Sequence, residues 1–369
     1  MSAAPLLSVE DLHVRFPIRS GLLQRVTNHV RAVNGVSFTV GRGEAFGLVG
    51  ESGCGKTTVA RTILRLEDAA EGRVVFEGQD ITDAPQRDLA GYRRKVQAIF
   101  QDPFSSLNPR MTVGATVAEP FLIHHADLGR AAIETKVREL LELCGLPARL
   151  ASRYPHEMSG GQRQRVGIAR ALALEADLIV CDEAVSALDV SIQAQVINLL
   201  EDLRHELDLT YLFIGHDLGV IRHLCDRVAV MYLGRVAELA DGEDLFDEPL
   251  HPYTRALLSA IPVPDPVIEA TRDHVVLGGE IPSPLDPPAG CVFHPRCPRA
   301  RSRCAEEIPL LREERPAHLA ACLRVDEPDD ASSYPPFPSS SAGSPTGSRL
   351  SGTDASTSSP DDPTHGATH

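Results

Sequence analysis

The chain has 369 residues, which is enough for about two domains of average size. Hydrophobic residues make up 43% of the sequence and charged residues 24%, so we expect a packed globular core and exclude wholesale disorder. The chain has 36 Lys and Arg against 51 Asp and Glu, a formal net charge of −15, which excludes the cationic surface of a general nucleic-acid-binding protein.

The sequence also predicts a compartment. It has no apolar run long enough to span a membrane, and it does not begin with the pattern of a secretory signal. Eight cysteines are too dilute for a disulfide scaffold, and without an export signal we expect them to stay reduced. These features predict a soluble cytosolic protein that has no nucleic-acid partner.

Composition shifts along the chain predict three regions. Residues 1–255 alternate β-branched runs with amphipathic stretches, which is the pattern of an α/β domain. Residues 256–325 contain a proline-rich stretch from Ile261 to Gly290, which we expect to be an extended connector, and then a patch that bears four cysteines. Residues 326–369 are rich in Ser, Pro, Asp, Thr and Gly, so we expect a disordered polar tail.

A phosphate-binding loop is the first motif of the α/β region. Residues 50–58 read GESGCGKTT, which fits G-x-x-x-x-G-K-[ST] between the apolar run Ala45–Val49 and the helix-compatible stretch Thr58–Leu66. Glycines let backbone N–H groups surround a phosphate, Lys56 neutralises the β- and γ-phosphates, and the Thr57 hydroxyl can ligate Mg²⁺. We expect nucleotide binding by the loop residues Gly50, Ser52, Gly53, Gly55, Lys56, Thr57 and Thr58.

A second serine-glycine turn precedes another predicted helix, Arg163–Leu174. It consists of Ser159, Gly160, Gly161 and Gln162. One chain has no use for two such turns on one γ-phosphate. The turn therefore predicts a head-to-tail dimer in which each subunit's turn covers the nucleotide of its partner.

Two acidic residues end the next apolar run. Leu178–Cys181 reads as a buried parallel strand, and Asp182 and Glu183 follow it at the edge where parallel sheets bind ligands. We expect Asp182 to hold Mg²⁺ and Glu183 to polarise the water that attacks the γ-phosphate.

The remaining elements of this region follow in chain order. Asp189 is placed to cap a helix whose apolar residues recur at three- and four-residue spacing as far as Leu203. Leu212–Ile214 predicts another buried strand. Val228–Tyr232 and Arg235–Leu239 predict a terminal β-hairpin around Leu233 and Gly234.

Together these motifs make residues 1–255 resemble the ATPase subunits of ATP-binding cassette (ABC) transporters. The resemblance implies an α/β fold of the P-loop NTPase class, with a mainly parallel core sheet, an antiparallel β subdomain and a helical subdomain at about residues 102–170. It also implies ATP and Mg²⁺ as ligands. By this resemblance Gln101 senses Mg²⁺ and contacts a membrane subunit, Asp189 crosses the dimer interface, and His216 contacts the γ-phosphate. Phe16 matches the aromatic that stacks on adenine, with a plain core aromatic as the alternative.

The sequence HPYT at residues 251–254 narrows the resemblance to the uptake ATPases for dipeptides, oligopeptides and nickel. It implies an ATP-hydrolysing importer subunit at the cytoplasmic face of the cell membrane. The implied partners are a second ATPase, identical or paralogous, two transmembrane permease subunits and an extracytoplasmic substrate-binding protein. Uptake of nickel or another small solute, and a soluble ABC ATPase outside transport, are the alternatives.

The cysteine patch allows three interpretations. Its members are Cys291, Cys297, Cys304 and Cys322. Four thiolates can hold a [4Fe–4S] cluster or a zinc ion, or the thiols can be free. The spacing matches neither a zinc knuckle nor a ferredoxin run. Some members of the resembled subgroup carry an iron–sulfur cluster in this region, so we expect [4Fe–4S], with Zn²⁺ as the alternative metal.

Overall fold

The computed structural model describes residues 4–21, 25–101, 106–125, 127–186, 188–261, 275 and 277–327. Its strands are β1 (Leu7–Ser20), β2 (Arg25–Val40), β3 (Ala45–Val49), β4 (Glu71–Phe76), β5 (Gln79–Asp80), β6 (Val96–Ile99), β7 (Leu178–Asp182), β8 (Thr210–Gly215), β9 (Arg227–Tyr232), β10 (Arg235–Asp241), β11 (Arg312–Arg315) and β12 (His318–Ala320). Its α-helices are α1 (Lys56–Ile63), α2 (Ala90–Lys95), α3 (Val113–His124), α4 (Arg130–Leu143), α5 (Gly160–Leu172), α6 (Val190–Leu207), α7 (Leu218–Leu224), α8 (Gly242–Asp247), α9 (Pro252–Ser259) and α10 (Ser302–Glu306).

A large sheet separates two apolar clusters. Its strand order is β11-β12-β10-β9-β3-β8-β7-β6, and the strands from β9 to β6 are parallel. Successive residues of a strand point to opposite faces, so Ala45 and Val49 pack into one cluster and Phe46 and Leu48 into the other. All residues of β3 are buried because both faces of the sheet are covered. The strands predicted at β3, β7 and β8 are confirmed.

A smaller antiparallel sheet, in the order β2-β1-β4-β5, packs on the second apolar cluster. Val14 of β1 and Val36 of β2 are buried there together with Val59 of α1 and Leu48 of β3. The antiparallel sheet is therefore joined to the large sheet through one continuous apolar layer.

The helices that follow the phosphate loop and Asp189 are confirmed. Helix α1 begins at Lys56, and α5 follows the second serine-glycine turn. Helix α6 is capped by Asp189, whose Oδ1 accepts a hydrogen bond of 3.0 Å from the backbone N–H of Ile192. Helices α3, α4 and α5 pack on one another. The predicted limits of the helical subdomain stay predictions, and residues 102–105 lie outside the described residues.

The predicted hairpin is present as β9 and β10, and two strands that the sequence did not predict extend the sheet beyond it. β12 pairs antiparallel with β10, with Glu238 opposite Ala320 and Leu239 opposite Leu319, and β11 pairs with β12. The sequence did not indicate these strands because β12 has three residues and β11 reads REER. Such segments carry no alternation of apolar and polar residues.

Only part of the predicted connector and tail is described. Within Ile261–Gly290, residues 261, 275 and 277–290 are described and contain neither helix nor strand. Residues 262–274 and 276 and the tail from residue 328 onward lie outside the described residues, and the predicted domain limits at residues 255 and 325 stay predictions.

Candidate active site

The phosphate loop has a backbone that requires glycine. Gly50, Gly53 and Gly55 have φ angles of 150°, 79° and 106°. A Cβ atom at Gly50 would collide with the carbonyl oxygen of Met231, and one at Gly55 with the carbonyl oxygen of Ala32. The loop therefore packs with its glycine backbone directly against β2 and the end of β9.

Lys56 lies at the start of α1 and is 4% exposed. Its Nζ donates hydrogen bonds to the carbonyl oxygens of Gly50, at 2.7 Å, and Glu51, at 3.0 Å. The first turn of α1 contains no acidic residue, so the ammonium group and the positive end of the helix dipole act together. This is an electrostatic environment for an anion such as a phosphate. Cys54, whose Sγ is 3.7 Å from Lys56 Nζ, is buried, which raises the pKa of its thiol.

A pair of oxygen ligands lies beside the loop. Thr57 Oγ1 donates a hydrogen bond of 3.2 Å to Asp182 Oδ1. Burial raises the pKa of the Asp182 carboxyl, which the Thr57 hydrogen bond partly opposes. Mg²⁺ typically takes one or two protein oxygens and completes its shell with phosphate oxygens and water, so Thr57 and Asp182 fit this ion.

Glu183 lies at the centre of a polar cluster formed by three strand ends. Gln101 follows β6, Glu183 follows β7 and His216 follows β8. Gln101 Nε2 donates a 2.6 Å hydrogen bond to Glu183 Oε2, and His216 Nδ1 is 3.4 Å from Glu183 Oε1. The structure thus brings together three residues that are far apart in sequence, because β6, β7 and β8 are parallel neighbours.

The second serine-glycine turn is well formed, but it lies beside α6 rather than beside the phosphate loop of its own chain. Ser159 Oγ accepts a hydrogen bond from the backbone N–H of Gln162, and Gln162 Oε1 accepts one from the N–H of Ser159. A Cβ atom at Gly161 would clash with the side chain of Ile192, so the turn abuts α6 and its cap Asp189. Within the described residues, no hydrogen bond joins this turn to the phosphate loop.

The other predicted nucleotide contacts are placed as follows. Phe16 lies on β1 opposite Val30, is half-buried and packs against the apolar cluster of the antiparallel sheet. Ser52 and Gly53 are exposed, and Thr58 is half-buried in α1. Their predicted contacts with nucleotide, and that of Phe16 with adenine in particular, stay predictions.

The cysteine patch forms a single small cavity of about 20 Å³. Its lining includes Cys291, Cys297, Cys304 and Cys322 together with His251 and Phe293. Burial raises the pKa of Cys291 to about 11 and that of Cys297 to about 12. In the part of the chain that the structure describes, no three His, Cys, Asp or Glu side chains converge closely enough to hold a metal ion.

Sequence reasoning missed the residues that hold the phosphate loop from outside. Tyr253 and Arg296 both contact Glu51 of the loop. Glu51 is a variable position of the loop motif, and Arg296 is 245 residues away in the chain. No local sequence pattern at either residue indicates that Glu51 and Arg296 are in contact.

Known proteins similar to this chain decide its family. A family model described as "ABC transporter" matches residues 33–186. The chain is also 55% identical over 318 residues to the oligopeptide transport ATP-binding protein AppF of Bacillus subtilis, covering 86% of this chain and 96% of that protein. The chain belongs to the ABC transporter family. A second model, "Oligopeptide/dipeptide transporter, C-terminal region", matches residues 237–304, which confirms the predicted subgroup of ABC ATPases.

Another relative and two solved ABC structures agree with this assignment. A putative peptide import ATP-binding protein of Brucella ovis is 53% identical over 88% of this chain and 99% of that protein. The cbiO1 protein of Clostridium perfringens, part of the ABC transporter complex cbiONQ, is 26% identical with a TM-score of 0.57 over 66% of this chain and 91% of its own. A dimeric ATP-binding cassette in a post-hydrolysis state bound to ADP and Pi is 27% identical with a TM-score of 0.57, covering 64% and 98%. The predicted ABC ATPase fold is confirmed.

Every helix in the described part of the chain is too short or too polar to cross a lipid bilayer.

Proposed function

We propose that this chain is the ATP-hydrolysing subunit of an ABC importer that powers the uptake of dipeptides and oligopeptides across the cytoplasmic membrane. The observation that carries the proposal is the Glu183 cluster with Gln101 and His216, next to the phosphate loop. It occurs in a chain whose relatives are oligopeptide and peptide import ATP-binding proteins. The same role for nickel or another small solute is the alternative.

In this proposal the phosphate loop binds the phosphates of ATP, and the residues beside it hold Mg²⁺. Lys56 exchanges its carbonyl partners for phosphate oxygens, and the backbone N–H groups of the loop bind the remaining phosphate charge. We expect Thr57, Asp182 and Gln101 to hold Mg²⁺, which neutralises charge on the phosphates. Phe16 stacks on the adenine ring in this proposal.

Glu183 is the general base for the attacking water. Gln101 and His216 hold the two oxygens of its carboxylate, so the group is oriented before ATP arrives. Phosphoryl transfer to water depends mostly on such positioning and on charge neutralisation, which Lys56 supplies. His216, whose side chain is largely exposed, contacts the γ-phosphate in this proposal.

The chain acts as one half of an ATPase dimer. The turn Ser159–Gln162 and the neighbouring Asp189 face the nucleotide of the partner ATPase, which is a second copy or a paralogue. In this way each of the two ATP sites is completed by residues from both subunits. Closure of the dimer on ATP and its reopening after hydrolysis drive the membrane subunits.

The proposed partners place the chain at the cytoplasmic face of the membrane. They are two transmembrane permease subunits and, on the other side, a substrate-binding protein that selects the solute. Affinity purification of the tagged chain from detergent-extracted membranes tests this. We expect two permeases and a second ABC ATPase to co-purify, and recovery of the chain with DNA-repair proteins or ribosomes instead would contradict transport.

The four cysteines bind a [4Fe–4S] cluster in this proposal, with Zn²⁺ as the alternative. The support is that all four thiols line one cavity in a short, proline-rich segment, where a cofactor would supply order.

The metal content of the purified protein tests this part of the proposal. Anaerobically purified protein should be brown and contain about four irons per chain. The Cys304→Ser variant should lose colour and iron, whereas the Cys144→Ser variant, which alters a buried cysteine outside the patch, should keep both. Colourless protein with one zinc per chain, or with no metal, would contradict the cluster.

A further inference from the structure

All three polar groups of Glu51 in the phosphate loop are held by partners. Its carboxylate accepts two hydrogen bonds from Arg296, from Nη1 at 2.8 Å and from Nη2 at 3.2 Å. Its backbone N–H donates to the Tyr253 hydroxyl at 2.9 Å. Its carbonyl oxygen accepts from Lys56 Nζ at 3.0 Å. Tyr253 and Arg296 both belong to the region matched by the oligopeptide/dipeptide C-terminal model.

Arg296 is built into the protein rather than lying on its surface. Its side chain is 7% exposed, and its guanidinium carbon is 5.9 Å from the centre of the Tyr232 ring. Tyr232 in turn contacts the rings of Tyr253, at 4.7 Å between centroids, and Phe293, at 5.2 Å. The hydrogen bonds that Arg296 donates to Glu51 raise the pKa of its guanidinium. A charge in such surroundings depends on a carboxylate partner, which here is Glu51.

Contacts therefore run without interruption from the C-terminal region to the residue that binds phosphate. Arg296 holds the side chain of Glu51, and the main chain of Glu51 holds Lys56. A loop that is fixed before ATP arrives loses less conformational entropy on binding than a loop that must become ordered. Residues that never touch the nucleotide can raise its affinity in this way.

We propose that Arg296 is a positioning residue for nucleotide binding, which acts through Glu51 to keep the phosphate loop and Lys56 in a binding-ready arrangement. The inference rests on the proposed nucleotide site and adds to it a contribution from the C-terminal region. The inference also gives a role to Glu51, which occupies a variable position of the loop motif: it transmits the contact from Arg296 to the phosphate loop.

Nucleotide titration of the full-length chain tests the proposal. We would measure the Kd for fluorescent mant-ATP with Mg²⁺, the KM for ATP and the kcat for Arg296→Met, Glu51→Gln and the double variant. The expected result is a Kd and a KM that rise about five- to tenfold in each single variant, with kcat within about twofold of wild type. The double variant should bind mant-ATP no more weakly than the single variants do, because all three variants lose the same contact between Arg296 and Glu51.

Arg303→Met is the matched control. Arg303 lies in the same C-terminal region but makes an exposed ion pair with Glu307, at 2.9 Å. Its removal should leave the Kd for mant-ATP at the wild-type value. A thermal melt of each variant checks folding, and should Arg296→Met fail to fold, Glu51→Gln carries the test because Glu51 is the more exposed partner.

The outcomes separate this inference from the proposed function. A wild-type chain that binds no nucleotide, or a Lys56→Ala variant that binds as well as wild type, would contradict the proposed function itself. Wild-type Kd in both Arg296→Met and Glu51→Gln, with Lys56→Ala impaired, would overturn only this inference. A lower Tm in the single variants without a change in their Kd would also overturn the inference. So would a Kd in the double variant that reflects the summed effects of the two single variants.

Discussion

Glu183 combines an unusual backbone with the most important role in the proposed reaction. Its φ angle is 48°, in the left-handed region that residues other than glycine seldom adopt. The backbone is held there by a hydrogen bond from Glu183 N–H to the carbonyl of Ile214, at 2.8 Å, and by one from Ser186 Oγ to the Glu183 carbonyl. Strain maintained at a strand end is typical of functional residues, and here it aims the carboxylate toward Gln101 and His216.

The Glu183→Gln variant tests the assignment of the general base. The amide keeps the size of the side chain but cannot accept a proton from water. We expect ATP binding close to wild type and a loss of steady-state ATP hydrolysis of at least about 100-fold. Light scattering should then show a dimer that persists in ATP. Lys56→Ala is the contrasting variant, since it should weaken ATP binding itself.

Hydrolysis by Glu183→Gln at the wild-type rate would show that another group activates the water. The same outcome would remove the main reason for the arrangement of Gln101 and His216 around this carboxylate.

At the scale of elements, the buried carboxylate of Glu238 joins three parts of the fold. Glu238 lies on β10 and accepts hydrogen bonds from the backbone N–H groups of Leu250 and His251, at 2.6 and 2.9 Å. His318 Nε2 of β12 is 2.6 Å from Glu238 Oε1, the same oxygen that accepts from Leu250. His251 Nδ1 in turn accepts a 3.0 Å hydrogen bond from Tyr253 N–H and so caps α9. The helix that carries Tyr253 is thereby fixed to the sheet.

The cap of α9 should make the protein sensitive to acid. Burial lowers the pKa of His251 to about 4. In the unfolded chain His251 binds a proton below about pH 6.5, whereas in the folded chain it stays neutral down to about pH 4. The free energy of unfolding therefore falls as the pH is lowered from 6.5 toward 4, by roughly 3 kcal/mol in total. His251→Asn keeps a capping acceptor without a titrating group, so its stability should fall less over this window.

Urea denaturation at a series of pH values measures this difference. His223→Asn, which changes an exposed histidine on α7, should keep the pH dependence of wild type. An equal loss of stability in wild type and His251→Asn between pH 6.5 and 4.5 would contradict the buried neutral cap.

What the sequence could predict at this scale depended on local pattern. The strands β3, β7 and β8 are continuous apolar runs because both of their faces are buried, and such runs are visible in a sequence. β12 has only three residues and β11 reads REER, so their pairing, β12 with β10 and β11 with β12, rather than their composition makes them strands. The phosphate loop was predictable because its residues are consecutive. The contacts of Glu51 with Tyr253 and Arg296 were not, because they depend on the tertiary fold.

At the scale of the whole molecule, the C-terminal region and the cassette share structure. β12 and β11 extend the same sheet that carries Glu183 and His216, and Arg296 reaches the phosphate loop. A change in the C-terminal region can therefore act on the nucleotide site through direct contacts. This arrangement fits a subunit whose ATPase cycle has to respond to other proteins at the membrane.

ATP-dependent uptake by the reconstituted transporter tests the central claim most directly. The chain and its co-purified partners would be placed in lipid vesicles with the substrate-binding protein on one side and Mg²⁺-ATP on the side of this chain. We predict accumulation of a labelled oligopeptide with the wild-type chain and only background accumulation with Glu183→Gln. Equal accumulation with both chains would contradict ATP hydrolysis by this subunit as the driving force, and accumulation of labelled nickel but not of peptide would contradict the proposed substrate.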